Sequence, residues 1–135
     1  MPAIAVVGDR NPRYETHRGI DRVLDSLPVG LGGAWHATDA LDTEAVAAAD
    51  GVWMAPGTPY CSFGLDPSFE EMLTSAGLVV SGHAPDAGVE IVELPGRPFY
   101  VGTMFQPQMS PAGDGREHPL IEAFFAAARA ERTAA

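Results

Sequence analysis

Basic residues and cysteines are scarce in this sequence. Eight basic side chains stand against 18 acidic ones, which gives a formal net charge of −10. A chain of that charge repels the phosphate backbone and anionic lipids, so we expect it to bind neither nucleic acid nor membranes. Cys61 is the sole cysteine, which excludes an intramolecular disulfide and a cysteine-based zinc site.

Long hydrophobic runs are missing as well. The apolar segment 3–7 ends at Gly8 and has neither the basic start nor the length of a secretory signal. No stretch approaches the roughly 20 apolar residues that a membrane span needs. No glycine-rich phosphate loop follows a strand, and no spacing of histidines and carboxylates is typical of a metal site. We therefore expect a cytoplasmic protein without a metal or other cofactor.

The remaining composition is that of an ordinary globular domain. The 135 residues, 46% of them hydrophobic, suffice for one domain over 1–135 with a core of useful size. Continuous apolar runs at 3–7 and 51–55 predict buried strands of a parallel sheet. Between them, helical spacing of apolar residues predicts a helix that begins at Asn11–Pro12, as cap and first position, and stops at Pro28.

The second half of the sequence predicts a different arrangement of strands. A short helix is followed by three strands, predicted over 78–81, 89–94 and 99–105, and Pro119 opens a last helix. This order of elements predicts an α/β fold. Its first part is expected to be parallel and its later part antiparallel or mixed.

The segment 89–108 carries the strongest family resemblance. It reads VEIVELPGRPFYVGTMFQPQ and is similar to the VEIVELPxHPFFVGTQFHPE that closes the class I glutamine amidotransferase domain of CTP synthase. The HPLIEAF that begins at His118 resembles the HPLFxAF helix of that domain. Segments 4–9 and 50–57 match its first strand and its DGIxxPGG strand. The resemblance implies a flavodoxin-like three-layer sandwich, α/β in class, with a central mixed, partly parallel sheet.

The catalytic residues of that family are absent at the positions where they are expected. The family's GxCxG elbow exposes a cysteine thiolate beside oxyanion-binding amides, and no such motif occurs here. The histidine and glutamate of FHPE are replaced by Gln106 and Gln108, which have no titratable proton with which to activate a thiol. The catalytic triad is therefore degenerate, and we expect no glutaminase activity.

A closer resemblance is to bacterial proteins related to the C-terminal region of CTP synthase. Segments 7–12 and 17–20, VGDRNP and HRGI, are similar to the VGDxNP and HRxI of that group. The PGTPY at 56–60 and the CSFGLDP at 61–67 resemble its PGSPY turn and its CNYGLNP segment. The two motifs lie far apart in that group and are contiguous here, which implies an internally shortened member. The group's last motif reads FQPE, in agreement with Gln106.

The expected site lies at the carboxyl ends of the parallel strands, where open α/β sheets bind ligands. The catalytic candidates are a base, a phenolic donor, a nucleophile and a pocket carboxylate: His17, Tyr60, Cys61 and Glu90. The substrate-binding candidates are polar residues after the strands, among which the arginine suits a carboxylate or phosphate: Asp9, Arg10, Asn11, Thr58 and Gln106.

Several of these candidates also have a structural interpretation. A lone cysteine such as Cys61 is more often a small buried hydrophobe than a nucleophile. His17 is also placed to pair with Asp21, four residues on. Asp9 and Arg10 are also compatible with a solvated loop.

Two functions from different classes remain open. The first is an enzyme that is not a glutaminase and acts on a small polar metabolite by acid–base chemistry. It would be a lyase, cyclase, isomerase or hydrolase, in a role such as natural-product biosynthesis. The second is a non-catalytic module that binds a metabolite or a partner subunit. Because the shortening would expose a new sheet edge, both functions predict a homodimer.

Overall fold

The computed structural model describes residues 3–57, 64–111 and 113–134. These residues form two compact units. The first contains the described residues up to 57 and from 107 onward, and the second contains those from 64 to 106. The expectation of one domain over 1–135 stays a prediction.

Three parallel strands form the sheet of the first unit: β1 (Ala3–Val7), β2 (Gly32–His36) and β3 (Gly51–Met54). Their order is β2-β1-β3, so β1 is central. Every residue of β1 from Ile4 to Val7 is buried. The continuous apolar run that predicted a parallel strand is therefore the centre of the sheet.

In chain order, the helices are α1 (Glu15–Asp25), α2 (Thr43–Ala47), α3 (Glu70–Ser75) and α4 (Pro119–Ala134). All except α3 belong to the first unit. The core of that unit is built from β1, α1, α4 and the loop before β2. Its buried side chains are Ile4, Val6, Ile20, Val23, Leu31, Ile121, Phe125 and Ala128. The spacing of three and four residues in α1 and α4 places these apolar side chains on one face of each helix.

α1 begins at Glu15, later than the sequence predicted. Asn11 accepts the N–H of Arg13 on its side-chain oxygen and the N–H of Tyr14 on its carbonyl, each at 3.0 Å. Asn11 and Pro12 therefore form a turn ahead of the helix, and the residue at the N-cap is Tyr14. The predicted cap at Asn11 is wrong because an asparagine side chain stabilises such a turn as readily as a helix start.

The second unit is an antiparallel sheet preceded by α3. Its strands are β4 (Val79–Ala84), β5 (Gly88–Glu93) and β6 (Val101–Thr103), in the order β4-β5-β6. Gly77 ends α3 with φ at 96°, a left-handed conformation that favours glycine after a helix.

The α/β fold class is confirmed, with a parallel sheet and a second, antiparallel sheet. The resemblance implied one mixed sheet, whereas among the described residues the two sets of strands form separate three-stranded sheets. The internal shortening was expected at Tyr60 and Cys61, which lie outside the described residues. No helix in the described ranges combines the length and the hydrophobicity required to cross a membrane.

Candidate functional site

The carboxyl ends of β1, β2 and β3 meet at one edge of the sheet, because the three strands are parallel. Main-chain hydrogen bonds continue beyond the strands: Gly8 donates to His36 at 3.0 Å, and Ala55 donates to Val7 at 2.9 Å. A Cβ at Gly8 would lie 2.8 Å from the Cβ of Ala55, so glycine permits this close approach. The segments after β1 and β3 therefore lie side by side at the position where such sheets bind ligands.

His17 of α1 joins the segments after β1 and β3 through its imidazole. Its Nδ1 accepts the main-chain N–H of Asn11 at 2.8 Å. Its Nε2 lies 2.7 Å from the carbonyl oxygen of Pro56, which only accepts, so Nε2 carries the proton. His17 is 1% exposed, and its ring packs against Tyr14 and Trp35 with centroid distances of 5.2 and 5.1 Å.

Both ring nitrogens of His17 are thus engaged by the main chain. A general base needs an unprotonated nitrogen about 3 Å from the proton that it takes. The unprotonated nitrogen of His17 is Nδ1, and the N–H of Asn11 occupies it. The predicted pairing with Asp21 is not made by these nitrogens. The catalytic role of His17 stays a prediction.

Asp9, directly after β1 and Gly8, binds the turn that follows β2. Its Oδ1 accepts the main-chain N–H of Thr38 at 2.8 Å, and the Thr38 hydroxyl lies 2.9 and 2.7 Å from the two carboxylate oxygens. The main-chain N–H, followed by the hydroxyl, lowers the pKa of Asp9. The carboxylate is therefore ionised at neutral pH and is used to hold two strand-end segments together.

Arg10 is held by Asp21 of α1 in a geometry that uses two of its nitrogens. Nε lies 3.0 and 3.1 Å from the two carboxylate oxygens, and Nη2 lies 2.8 Å from Oδ2. The Trp35 indole donates to the same carboxylate at 2.9 Å. Chiefly because of the Arg10 bond, and with a smaller contribution from Trp35, the pKa of Asp21 is lowered, although partial burial acts in the opposite direction.

The Arg10 guanidinium has N–H donors that Asp21 does not use. Its side chain is 46% exposed, and within the part of the chain that the structure describes its Nη1 makes no hydrogen bond. Asp21 raises the pKa of Arg10, so the charge is permanent. A guanidinium fixed in this way presents a preoriented donor to a carboxylate or phosphate.

The remaining predicted site residues are Thr58, Tyr60, Cys61, Glu90 and Gln106. Thr58, Tyr60 and Cys61 lie outside the described residues. Glu90 and Gln106 belong to the second unit, where Glu90 is half-buried in β5 and its carbonyl accepts the N–H of Met104 at 3.0 Å. Their assigned roles stay predictions. Over the described ranges, no three His, Cys, Asp or Glu side chains are grouped so as to hold a metal ion.

Sequence reasoning missed the residues that orient Arg10. The sequence suggests Asp21 only as a partner of His17 and gives no indication of a role for Trp35. The sequence feature that points to Asp21 is its charge, which is opposite to that of Arg10, in the helical segment that follows β1. No spacing rule connects it to Arg10, because a turn separates the two residues.

Gln108 is a second residue whose environment the sequence did not reveal. It lies in the 3₁₀ helix Pro107–Met109, is 1% exposed, and donates its amide N–H to the carbonyl of Thr16 at 3.3 Å. The main-chain carbonyl of Gln108 accepts a hydrogen bond from Nη2 of Arg22 at 2.7 Å. At the position where the family carries an acid, this chain therefore has an amide packed against α1.

Comparison with known proteins identifies CTP synthases as relatives of part of this chain. No protein-family model matches it. It is similar to CTP synthase from Roseiflexus sp. (strain RS-1), 39% identical over 90 residues that cover 56% of this chain and 16% of that protein. CTP synthases from Roseiflexus castenholzii and Chloroflexus aggregans are 46% and 43% identical over 67 residues, which cover 49% of this chain and 12% of each protein.

The chain spans less than a fifth of the length of these curated relatives. The resemblance seen in its motifs is confirmed by identities of 39 to 46% over roughly half of its residues. The chain therefore contains a region related to the C-terminal, glutamine amidotransferase part of CTP synthase.

Proposed function

We propose that this chain is a non-catalytic module that binds a small anionic metabolite on an amidotransferase-like scaffold and does not hydrolyse glutamine. The observation that carries the proposal is the state of His17. The ring is buried and both of its nitrogens are bonded to the main chain, at Asn11 and Pro56. A histidine in that state supports the geometry of a binding edge and has no free nitrogen for proton transfer.

The groups at this edge that suit a ligand are guanidiniums. Arg10 is held in place by Asp21 and retains its Nη1 donors. Arg13 lies in the same turn, is exposed, and among the described residues its side chain makes no hydrogen bond or ion pair. Arginine binds carboxylates and phosphates through paired N–H donors, so the ligand class is a small carboxylate or phosphate.

The loss of glutaminase activity rests on Gln106 and Gln108. Neither side chain titrates, and Gln108 is buried against the carbonyl of Thr16. The catalytic alternative depends on Tyr60 and Cys61. It would require these residues to act without His17 or with a rearranged His17.

The test is calorimetric titration of the chain with inorganic phosphate, citrate and L-glutamate. We expect at least one of these anions to bind. Arg13→Gln should then weaken binding about tenfold or more, since a hydrogen bond to a charged group is worth about 1.5 kcal/mol or more. Arg97→Gln, at an exposed arginine of the second unit, is the matched control and should bind as the wild type does.

Three results would contradict the proposal. They are the absence of binding by all three anions, an equal loss in the Arg13 and Arg97 variants, and chemical turnover of a bound anion. Turnover that is lost in Cys61→Ala would favour the catalytic alternative. Ammonia release from free glutamine would overturn the glutaminase part alone.

A further inference from the structure

β3 lies at an edge of the parallel sheet but has the sequence of a strand that is buried on both faces. Among the described strands it pairs with β1 alone, from Ile4↔Gly51 to Val7↔Met54. Residues 51–57 read GVWMAPG and carry no charge, in a chain whose net charge is −10. Edge strands are usually protected by charged side chains, proline or bulges, and Gly51–Met54 contains none of these.

The two faces of β3 differ in what covers them. Trp53 points into the core and meets Phe124 of α4 edge to face, with a centroid distance of 6.2 Å. On the opposite face Val52 is 43% exposed and Met54 is 71% exposed. Apolar side chains on an open face beside an unpaired strand edge are the features of a surface that accepts another strand.

The other sheet edges are less suited to pairing. β2 begins with Gly32 and Gly33, which leave little side-chain surface for a neighbouring strand. In the second unit, β4 has two register irregularities between Val80 and His83, and β6 is only three residues long. Among the described strands, β3 is therefore the edge best suited to pairing.

We propose that β3 pairs with β3 of a second copy of this chain, antiparallel about a two-fold axis, to make a continuous six-stranded sheet. Alternate residues of β3 direct their N–H and C=O groups away from β1, and a second β3 satisfies them. The same operation brings the Val52 and Met54 side chains of the two copies onto one face, where they cover each other.

The charge pattern is compatible with a second copy as the occupant. Two chains of net charge −10 repel each other wherever their acidic surfaces meet. The acidic residue directly before β3 in the sequence is Asp50, whose carboxylate accepts the N–H of Ala3 at 2.7 Å. In an antiparallel pair the two Asp50 residues lie at opposite ends, roughly 14 Å apart or more for a four-residue strand. That separation exceeds the screening length of about 8 Å in physiological salt.

The size of the seam predicts a weak dimer. A four-residue strand with two apolar side chains buries less than the roughly 1,600 Å² of a standard stable interface. The dimer should therefore form and dissociate with concentration. It should also stop at two copies, because each chain has one β3 edge and the pairing uses it.

Sedimentation velocity over a series of micromolar concentrations tests this inference. The wild-type chain should shift from monomer to dimer as its concentration rises. Met54→Lys places a charge on the seam and should remain monomeric. Met72→Lys changes a 58% exposed methionine of α3 in the second unit and should dimerise as the wild type does.

Hydrogen exchange gives a second readout that needs no variant. In the wild-type chain, protection of the β3 amides that point away from β1 should rise with protein concentration. A wild type that stays monomeric, a mass beyond two copies, or exchange at 51–54 that does not depend on concentration would each overturn the inference. So would a Met54→Lys chain that still dimerises or a Met72→Lys chain that does not.

Discussion

The Nε2 atom of His17 lies 2.7 Å from the carbonyl oxygen of Pro56, 39 residues away in the sequence. Through Nδ1 the same ring receives the main-chain N–H of Asn11 at 2.8 Å. The imidazole therefore connects the segment that follows β1 to the segment that follows β3. A side chain that satisfies two main-chain groups at once contributes to stability as well as to the shape of the edge.

His17→Ala should destabilise the chain by about 3 kcal/mol, because it leaves a cavity and two main-chain groups without their partner. Urea unfolding followed by circular dichroism measures this loss. His83→Ala is the control, since His83 is exposed and its contact with Glu70 is 3.9 Å long. That variant should stay within about 0.5 kcal/mol of the wild type. Equal stability of His17→Ala and the wild type would show that the ring does not stabilise the edge.

Asp21→Asn should lower the free energy of unfolding at neutral pH. It should also make that free energy fall less steeply as the pH is lowered. The Arg10 bond holds the pKa of Asp21 below its ordinary value of 3.8 in the folded chain. A lowered folded pKa adds stability above the unfolded value, and this stability is lost as pH falls through the folded pKa. The difference between the wild type and Asp21→Asn should therefore shrink as pH falls below about 3.8.

Asp9 and Asp66 also have lowered pKa values, held chiefly by the main-chain N–H groups of Thr38 and Ser68. They contribute acid sensitivity to the wild type and to Asp21→Asn alike. Unfolding curves of both proteins at a series of pH values therefore isolate the contribution of Asp21. A gap between the two proteins that stays constant from neutral to acid pH would contradict the role of the Arg10 bond.

Local features of the fold were predictable from the sequence, because short-range chemistry determines them. The apolar run of β1 is the buried central strand. Asp42 caps α2, and Asp66 caps the 3₁₀ helix Pro67–Phe69 that precedes α3. Their side chains accept the N–H groups of Ala45 and Ser68 at 2.9 Å. These interactions join residues two or three positions apart, which is the range that a sequence pattern encodes.

The separation of the two sheets and the environment of the site were not predictable in this way. Strand pairing joins residues that are far apart in sequence, so the pattern of β4 to β6 does not say which sheet they join. The same holds for His17 and Pro56, and for Gln108 and Thr16, which are 92 residues apart. Only the folded chain shows that a candidate base and a candidate acid position are both bonded to main-chain carbonyls.

Gly19→Ala should destabilise the contact between α1 and the segment 107–109. A Cβ at Gly19 would lie 2.9 Å from the Cγ of Gln108 and 3.1 Å from the sulfur of Met109. Because Gln108 is buried, its side chain has little room to move. We expect a net loss of about 1–2 kcal/mol after the gain in helix propensity, measured by urea unfolding.

Gly113→Ala is the control for this steric effect, since a Cβ at Gly113 meets no atom within 4 Å. That variant should match or slightly exceed the wild type in stability. A Gly19→Ala chain more stable than the wild type would show that the Gln108 and Met109 side chains move aside without a loss of stability.

Gln108→Glu, which restores the acid of the family motif, should destabilise the chain rather than create activity. The amide donates to the carbonyl of Thr16 at 3.3 Å from a position that is 1% exposed. A carboxylate there cannot donate, faces the carbonyl oxygen and loses its hydration, at a cost of about 3 kcal/mol or more. Such a buried carboxylate has a raised folded pKa, so the loss should be largest at neutral pH and should diminish as pH falls and the group is protonated. Urea unfolding across pH, with ammonia release from glutamine measured alongside, checks both parts. A stable variant at neutral pH would mean that this position accepts a charge and that the amide is not needed for packing.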